Sequence, residues 1–106
     1  LSDIADPQNF QVIGIDEGHF FPDLAEFADE MANQGKVVIV AALDATYERE
    51  PFPQVSRLIA RSEKVQKLHA ICIQCKQAEA SFSKRLSNEK QVHLVGGREK
   101  YIAVCR

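Results

Sequence analysis

Apolar and polar positions alternate with different periods in the two halves of the chain. Residues 11–16, Gln-Val-Ile-Gly-Ile-Asp, form a short apolar run that ends in acid, the pattern of a buried strand. Phe21-Pro22-Asp23 then reads as a helix start, because Pro suits the first helical position and Asp favours the positive end of the helix dipole. Leu24, Phe27, Ala28 and Met31 follow at i, i+3, i+4 and i+7, a single apolar stripe, and Gly35 is placed to end the helix. Lys36 to Leu43 is almost continuously apolar, as expected of a strand covered on both faces. Strand, helix and strand make a βαβ unit with parallel strands and a right-handed crossover.

Beyond Asp44 the pattern weakens. Pro51 and Pro53 predict a loop over 45–53, and Gln54–Arg61 predicts a short helix. Lys64–Ala70 alternates imperfectly and reads as a strand leading to Cys72. Gln91–Val95 alternates more cleanly, and Gly96-Gly97 permits a turn before a strand over Lys100–Val104. Two parts are expected, 1–66 and 67–106, because α/β patterning gives way near Lys64–Leu68 to short strands around cysteines.

Composition sharpens this picture. With 45% hydrophobic and 26% charged residues the 106-residue chain reads as a soluble globular protein. No apolar run approaches the roughly 20 residues that span a bilayer. The opening Leu-Ser-Asp-Ile-Ala-Asp has neither a leader pattern nor an initiator Met, so the chain is read as a piece of a longer protein. The net charge of −2 argues against a general nucleic-acid binder, but it averages two unlike halves. Up to Ser56 there are 2 basic and 11 acidic residues; from Arg57 onward there are 11 basic and 4 acidic. The basic half can hold phosphorylated ligands, or it can be a solvated surface.

Ligands of open parallel sheets sit beyond the carboxyl ends of the strands. Both predicted strands end there in acid, Asp16-Glu17 and Asp44. One carboxylate near Mg²⁺ and another acting as base is an arrangement nucleotide chemistry uses; a polar strand exit is the plainer alternative. Asp16-Glu17-Gly18-His19 also matches the acidic box of Asp-Glu-x-His helicases, but a helicase needs hundreds more residues and a basic channel. Cys72-Ile-Gln-Cys75 has zinc-knuckle spacing, and Cys105 supplies a third thiol; ordinary thiols are the alternative. An odd cysteine count without a secretory leader disfavours a disulfide scaffold. Phe20, Phe21, Tyr47 and Phe52 gather near the acidic strand ends, where they serve either as core or as walls around a base.

Together these segments resemble the thymidine kinase family of cytosolic, bacterial and poxviral type. The carrying residues are Val12-Ile-Gly-Ile-Asp-Glu-Gly-His-Phe-Phe-Pro-Asp23, Met31-Ala-Asn-Gln-Gly-Lys36 and Val38-Ile-Val-Ala-Ala-Leu-Asp44. To these add Thr46-Tyr47, Pro51-Phe52, Cys72-x-x-Cys75, Ser83-Lys-Arg-Leu86, Val95-Gly-Gly97 with Lys100-Tyr101, and Cys105. The order and spacing of all of them, from Val12 to the end, are more specific than any one motif. Three positions depart from the family's pattern: Tyr47 stands for Phe, Ala45 for Gly and His19 for Gln.

The resemblance implies an α/β P-loop kinase core with a partial, RecA-like parallel sheet, followed by a small zinc-ribbon-like lobe bearing a lasso loop. It implies Mg·ATP-dependent phosphorylation of the thymidine 5′-hydroxyl to give dTMP, a step of nucleotide salvage for DNA synthesis. Glu17 matches the catalytic base and Asp16 the metal-side carboxylate, with Gly18 and His19 beside the nucleotide. Phe20, Leu43, Tyr47 and Phe52 match nucleoside-pocket walls, and Ser83 a residue near the thymine methyl. Val92, His93, Leu94, Val95, Gly96 and Tyr101 match the lasso that closes over thymidine. Cys72, Cys75 and Cys105 match three of four structural zinc ligands. Thymidine and ATP are the implied partners, dTTP the implied feedback inhibitor, a homo-dimer or tetramer the implied assembly and the cytoplasm the implied location, with no membrane and no nucleic acid.

No Gly-x-x-x-x-Gly-Lys-Ser/Thr phosphate loop occurs in these residues. The expectation is therefore a carboxyl-terminal portion that is inactive alone. The rival expectation from another class is a zinc-ribbon nucleic-acid-binding module fused to an ATPase remnant. A third is a non-catalytic kinase-like scaffold.

Overall fold

The computed structural model describes residues 1, 3, 6–86 and 100–106. They form a mixed α/β protein whose elements run β1 (Val12–Ile15), α1 (Leu24–Asn33), β2 (Val37–Val40), α2 (Pro53–Ala60), β3 (Ala70–Ile71), β4 (Glu79–Ala80), β5 (Phe82–Arg85) and β6 (Tyr101–Val104). Two compact units divide the chain: residues 1–44 with 51–65, and residues 45–50 with 66–106.

In the first unit β1 and β2 pair in parallel, Val12 opposite Val37 through Ile15 opposite Val40. Side chains of a strand alternate between faces, so Ile13, Ile15, Val38 and Val40 point one way. They meet the stripe predicted on α1: Leu24, Phe27 and Met31 are buried with Ile15, Phe52 and Val55 in one core. Helix α2 packs against α1, and Gln54 Oε1 accepts from the Ala25 amide at 2.9 Å. Arg57 pairs with Glu26, and Arg61 Nη1 with Asp29 Oδ2 at 3.4 Å, across the solvent side of the helix pair. Surface pairs of this kind contribute about 0–1 kcal/mol each.

Helix α1 starts one residue after Asp23, and Pro22 lies in the preceding turn rather than inside the helix. At its other end Gly35 adopts φ +85°, the left-handed conformation glycine tolerates. Helix α2 begins at Pro53, one residue before the expected start at Gln54; the first helical position needs no N–H donor, so proline fits.

One expectation is not met among the described residues. There strand β2 is covered on one face rather than two, and Val37 and Ile39 are 56% and 62% exposed. The same holds for Val12 on β1, which is 58% exposed. Both helices lie on the Ile15–Val40 face, and among the described residues nothing covers the other.

The second unit holds two antiparallel pairs. Ala70 and Ile71 face Ala80 and Glu79, while Phe82–Arg85 pairs with Tyr101–Val104. Among the described residues its core holds Cys72, Ala80 and Val104, flanked by Phe82 and Ile102. The strand expected over 64–70 is corrected as well. Only Ala70–Ile71 is extended and paired, because Lys64–His69 finds no partner strand among the described residues. Strand β6 forms as expected, with β5 as its described partner. The strand expected over Gln91–Val95 and the Gly96-Gly97 turn lie outside the described residues.

Candidate functional site

The carboxyl ends of β1 and β2 come together through backbone bonds that continue past the strands. The Ala41 amide donates to Ile15 O at 2.9 Å, and the Gly18 amide to Ala41 O at 2.9 Å. Gly18 is needed at this crossing. A Cβ there would stand 2.8 Å from Val40 Cγ1 and 3.2 Å from Leu24 Cδ1.

Between strand and turn lie Asp16 and Glu17. Glu17 takes φ +52°, ψ +41°, a left-handed conformation that costs a non-glycine residue on the order of 1 kcal/mol or more. Its amide donates to Asp16 Oδ1 at 2.8 Å. Glu17's side chain is 64% exposed, so its carboxylate is available to a ligand beyond the strand ends.

Among the described residues, His19 is the buried polar residue of the first unit, with its side chain 3% exposed. Its Nδ1 accepts the Leu43 amide at 3.1 Å, and its Nε2 faces Glu17 Oε2 at 3.4 Å. The ring packs against Phe20 at 4.3 Å and Phe52 at 5.0 Å between centroids, both tilted. Phe52 belongs to the core, and its amide donates to Asp44 O at 3.1 Å. Phe20 and Leu43 are half exposed. Thus Asp16, Glu17, Gly18, His19, Phe20, Leu43 and Phe52, 36 residues apart at the extremes, converge at one end of the parallel pair.

Tyr47, Ser83 and Tyr101 belong to the second unit. Ser83 sits on β5 opposite Ala103 of β6. The Glu48 side chain, as hydrogen-bond partner, pushes the Tyr47 phenol above its ordinary value and keeps its proton in place. The Arg85 guanidinium lies 3.8 Å over the Tyr47 ring, 5.5 Å from the Tyr101 ring centroid, and donates to the Tyr101 hydroxyl at 3.1 Å. Sequence reasoning assigned Arg85 no site. The available signal was period-2 spacing, which places Arg85 on the same strand face as Ser83. Val92, His93, Leu94, Val95 and Gly96 lie outside the described residues.

The three cysteines also converge. Their sulfur atoms all lie within 4.8 Å of one another, with Cys75 Sγ and Cys105 Sγ 3.9 Å apart. Two thiolates on a tetrahedral zinc at about 2.3 Å stand about 3.8 Å apart, so the cluster fits that ion. The turn is shaped to suit: Cys72 N donates to Ala78 O, Lys76 N to Cys72 O, and Lys76 adopts φ +59°. Amides of Cys75 and Ala78 approach Cys72 Sγ and Cys75 Sγ at 3.5 Å each. The Cys75 and Cys105 amides directed at Cys72 hold its thiol down to about 6, against the opposing effect of burial. Hydrogen bonding to Cys72 and then Cys75 pushes the Cys105 thiol up. Such a cluster readily carries negative charge and can hold a soft divalent cation.

Fold and sites together define a mixed α/β protein with carboxylates at parallel strand ends and a separate three-cysteine cluster. The thymidine kinase family model matches residues 1–106, and the chain belongs to that family. It is 51% identical over 107 residues to the thymidine kinase of Sheeppox virus (strain KS-1), covering 100% of this chain and 60% of that protein. To the thymidine kinases of Raccoon poxvirus and Yaba monkey tumor virus it is 57% identical over 98 residues. Those matches cover 92% of this chain and 55% and 54% of the relatives. The chain thus spans a little over half the length of the relatives it matches. No described helix is long and apolar enough to cross a membrane.

Proposed function

We propose that this chain carries the acceptor side of an ATP-dependent thymidine kinase. In the reaction, the thymidine 5′-oxygen attacks the γ-phosphorus of ATP, the bond to the β-bridging oxygen breaks, and dTMP and ADP leave. Glu17 takes the hydroxyl proton as the new bond forms, and Asp16 would hold the Mg²⁺ that accompanies ATP and offsets its charge. The observation that carries this reading is the exposed Glu17 carboxylate, held in a left-handed backbone conformation at the end of β1 beside Asp16. Family membership supplies the substrate class.

Phe20, Leu43, Tyr47, Phe52 and Ser83 are assigned to the nucleoside, with Val92, His93, Leu94, Val95, Gly96 and Tyr101 as the lasso. Gly18 and His19 are assigned to the nucleotide side. The finer architecture in this reading is a P-loop, RecA-like core with its phosphate loop upstream of residue 1, joined to a zinc-ribbon-like lobe. Cys72, Cys75 and Cys105 would hold a structural zinc, which supplies folding energy rather than chemistry. A cytoplasmic homo-dimer or tetramer under dTTP feedback completes the proposal.

Radiolabelled thymidine conversion by the complete protein tests it. Glu17→Gln should lower turnover by about 10²–10⁴ while thymidine binding persists, because only the proton acceptor is removed. Near-normal turnover would remove Glu17 from this role. Salt-sensitive oligonucleotide binding without thymidine binding would favour the nucleic-acid module instead.

A further inference from the structure

Each ring nitrogen of His19 faces a polar group. A backbone amide can only donate, so the 3.1 Å contact from the Leu43 amide makes Nδ1 an acceptor. In the neutral ring the proton therefore sits on Nε2, which faces Glu17 Oε2 at 3.4 Å. The ring cannot easily turn away. Phe20 and Phe52 pack against it, and only 3% of the side chain is exposed.

Glu17 presents the opposite case. Its carboxylate is 64% exposed, and the His19 ring stands beside it, Nε2 3.4 Å from Oε2. An exposed glutamate left to itself samples several rotamers, at a rotamer-entropy cost of up to about 2 kcal/mol when fixed. A general base must stand within hydrogen-bond reach of the proton it removes, and contacts of this kind are often long before substrate binds.

We propose that His19 is a positioning residue for Glu17: its Nε2–H donates to the Glu17 carboxylate, while Nδ1 ties that orientation to the backbone at Leu43. The carboxylate at the end of β1 is thereby registered against the end of β2. His19 acts through Glu17 and touches no reacting atom. The inference rests on the reading of Glu17 as base. Glutamine, the residue expected at position 19 from the family resemblance, offers one acceptor and one donor group and can span the same two contacts.

The test uses the complete protein and a double-mutant cycle in thymidine turnover. His19→Phe fills the space without either hydrogen bond and should lower kcat about 10–10²-fold, with KM for thymidine nearly unchanged. His19→Gln should recover most of the turnover. Because the effect runs through Glu17, adding His19→Phe to Glu17→Gln should cost little beyond Glu17→Gln alone. His19→Met serves the same comparisons should His19→Phe not fold. Unchanged kcat in the Phe and Met variants overturns the proposal, as do independent, multiplying effects in the cycle, or a Gln variant as impaired as Phe. If Glu17→Gln itself turns over normally, the base reading falls and the positioning role with it. If Glu17→Gln is inactive and the His19 variants are not, the positioning role alone falls.

Discussion

The two units of this chain are stabilised by different means. The first buries Ile15, Leu24, Phe27, Met31, Phe52 and Val55 in one cluster between a parallel strand pair and two helices. Its candidate carboxylates stand at the strand ends, on backbone held by that packing. Among the described residues, the second unit buries Cys72, Ala80 and Val104, gathered around the sulfur cluster. The described strands there are two and four residues long, short for a sheet that must stand alone. One region is thus a hydrophobic scaffold that displays polar chemistry; the other is a fold whose centre is itself polar chemistry. The difference predicts opposite sensitivities.

The largest contrast should appear on metal removal. Structural zinc supplies ~10–16 kcal/mol of apparent binding free energy at neutral pH in small domains. Chelation should therefore abolish hydrogen-exchange protection in β3–β6 while leaving β1, α1, β2 and α2 protected. Equal protection in both units before and after chelation, or no zinc by elemental analysis, would break the comparison.

Next in size is a core truncation. Leu24 is fully buried at the start of α1, so Leu24→Ala should cost about 2–5 kcal/mol by denaturant unfolding. Zinc content should stay unchanged. A loss of zinc equal to that of a cysteine variant would show that the two units fold as one.

A smaller effect is expected at Gly18, where an added Cβ meets Val40 and Leu24. Gly18→Ala should destabilise the first unit by about 1–3 kcal/mol through overpacking, read as a lowered midpoint at constant m-value. Stability equal to that of the parent would mean that the turn between the strand ends shifts freely, and the tight convergence of the site would not stand.

The subtlest expectation concerns pH in the metal-free protein. Cys72 is depressed to about 6, so thiolate ultraviolet absorbance should rise in a first step near pH 6 that Cys72→Ser removes. Cys105 is pushed up and should ionise in a later step, above the ordinary thiol range. The sign for stability follows from proton binding. Below pH 6 both states keep the Cys72 proton, whereas between 6 and the ordinary value of 9 the unfolded state binds more protons. The second unit should therefore gain stability as pH rises through that window and lose it as pH falls toward 6. A single step at 9 would show that the amides of Cys75 and Cys105 do not act on Cys72.

Several features of this protein were legible without coordinates. The stripe Leu24, Phe27, Ala28, Met31 and the runs before Asp16 and Asp44 repeat with local periods, and local period is a property of neighbours in the chain. The carboxylates at the strand ends follow from those runs, and the cysteine cluster from knuckle spacing. What required the tertiary structure is set by partners far apart in sequence. Glu79–Ala80 and Phe82–Arg85 are too short and too polar to signal strands, and β5 becomes one by pairing with Tyr101–Val104. Lys64–His69 alternates like a strand and has no described partner, so it is not one. The exposure of Val37 and Ile39 depends on which face the helices occupy, a matter no apolar run encodes. The tautomer of His19 is decided by the amide of Leu43, 24 residues away, and the place of Arg85 by rings of Tyr47 and Tyr101 on either side of it in sequence. Periodicity reports what a residue tends to do beside its neighbours; only the folded chain brings together the donors, acceptors and rings that decide what it does.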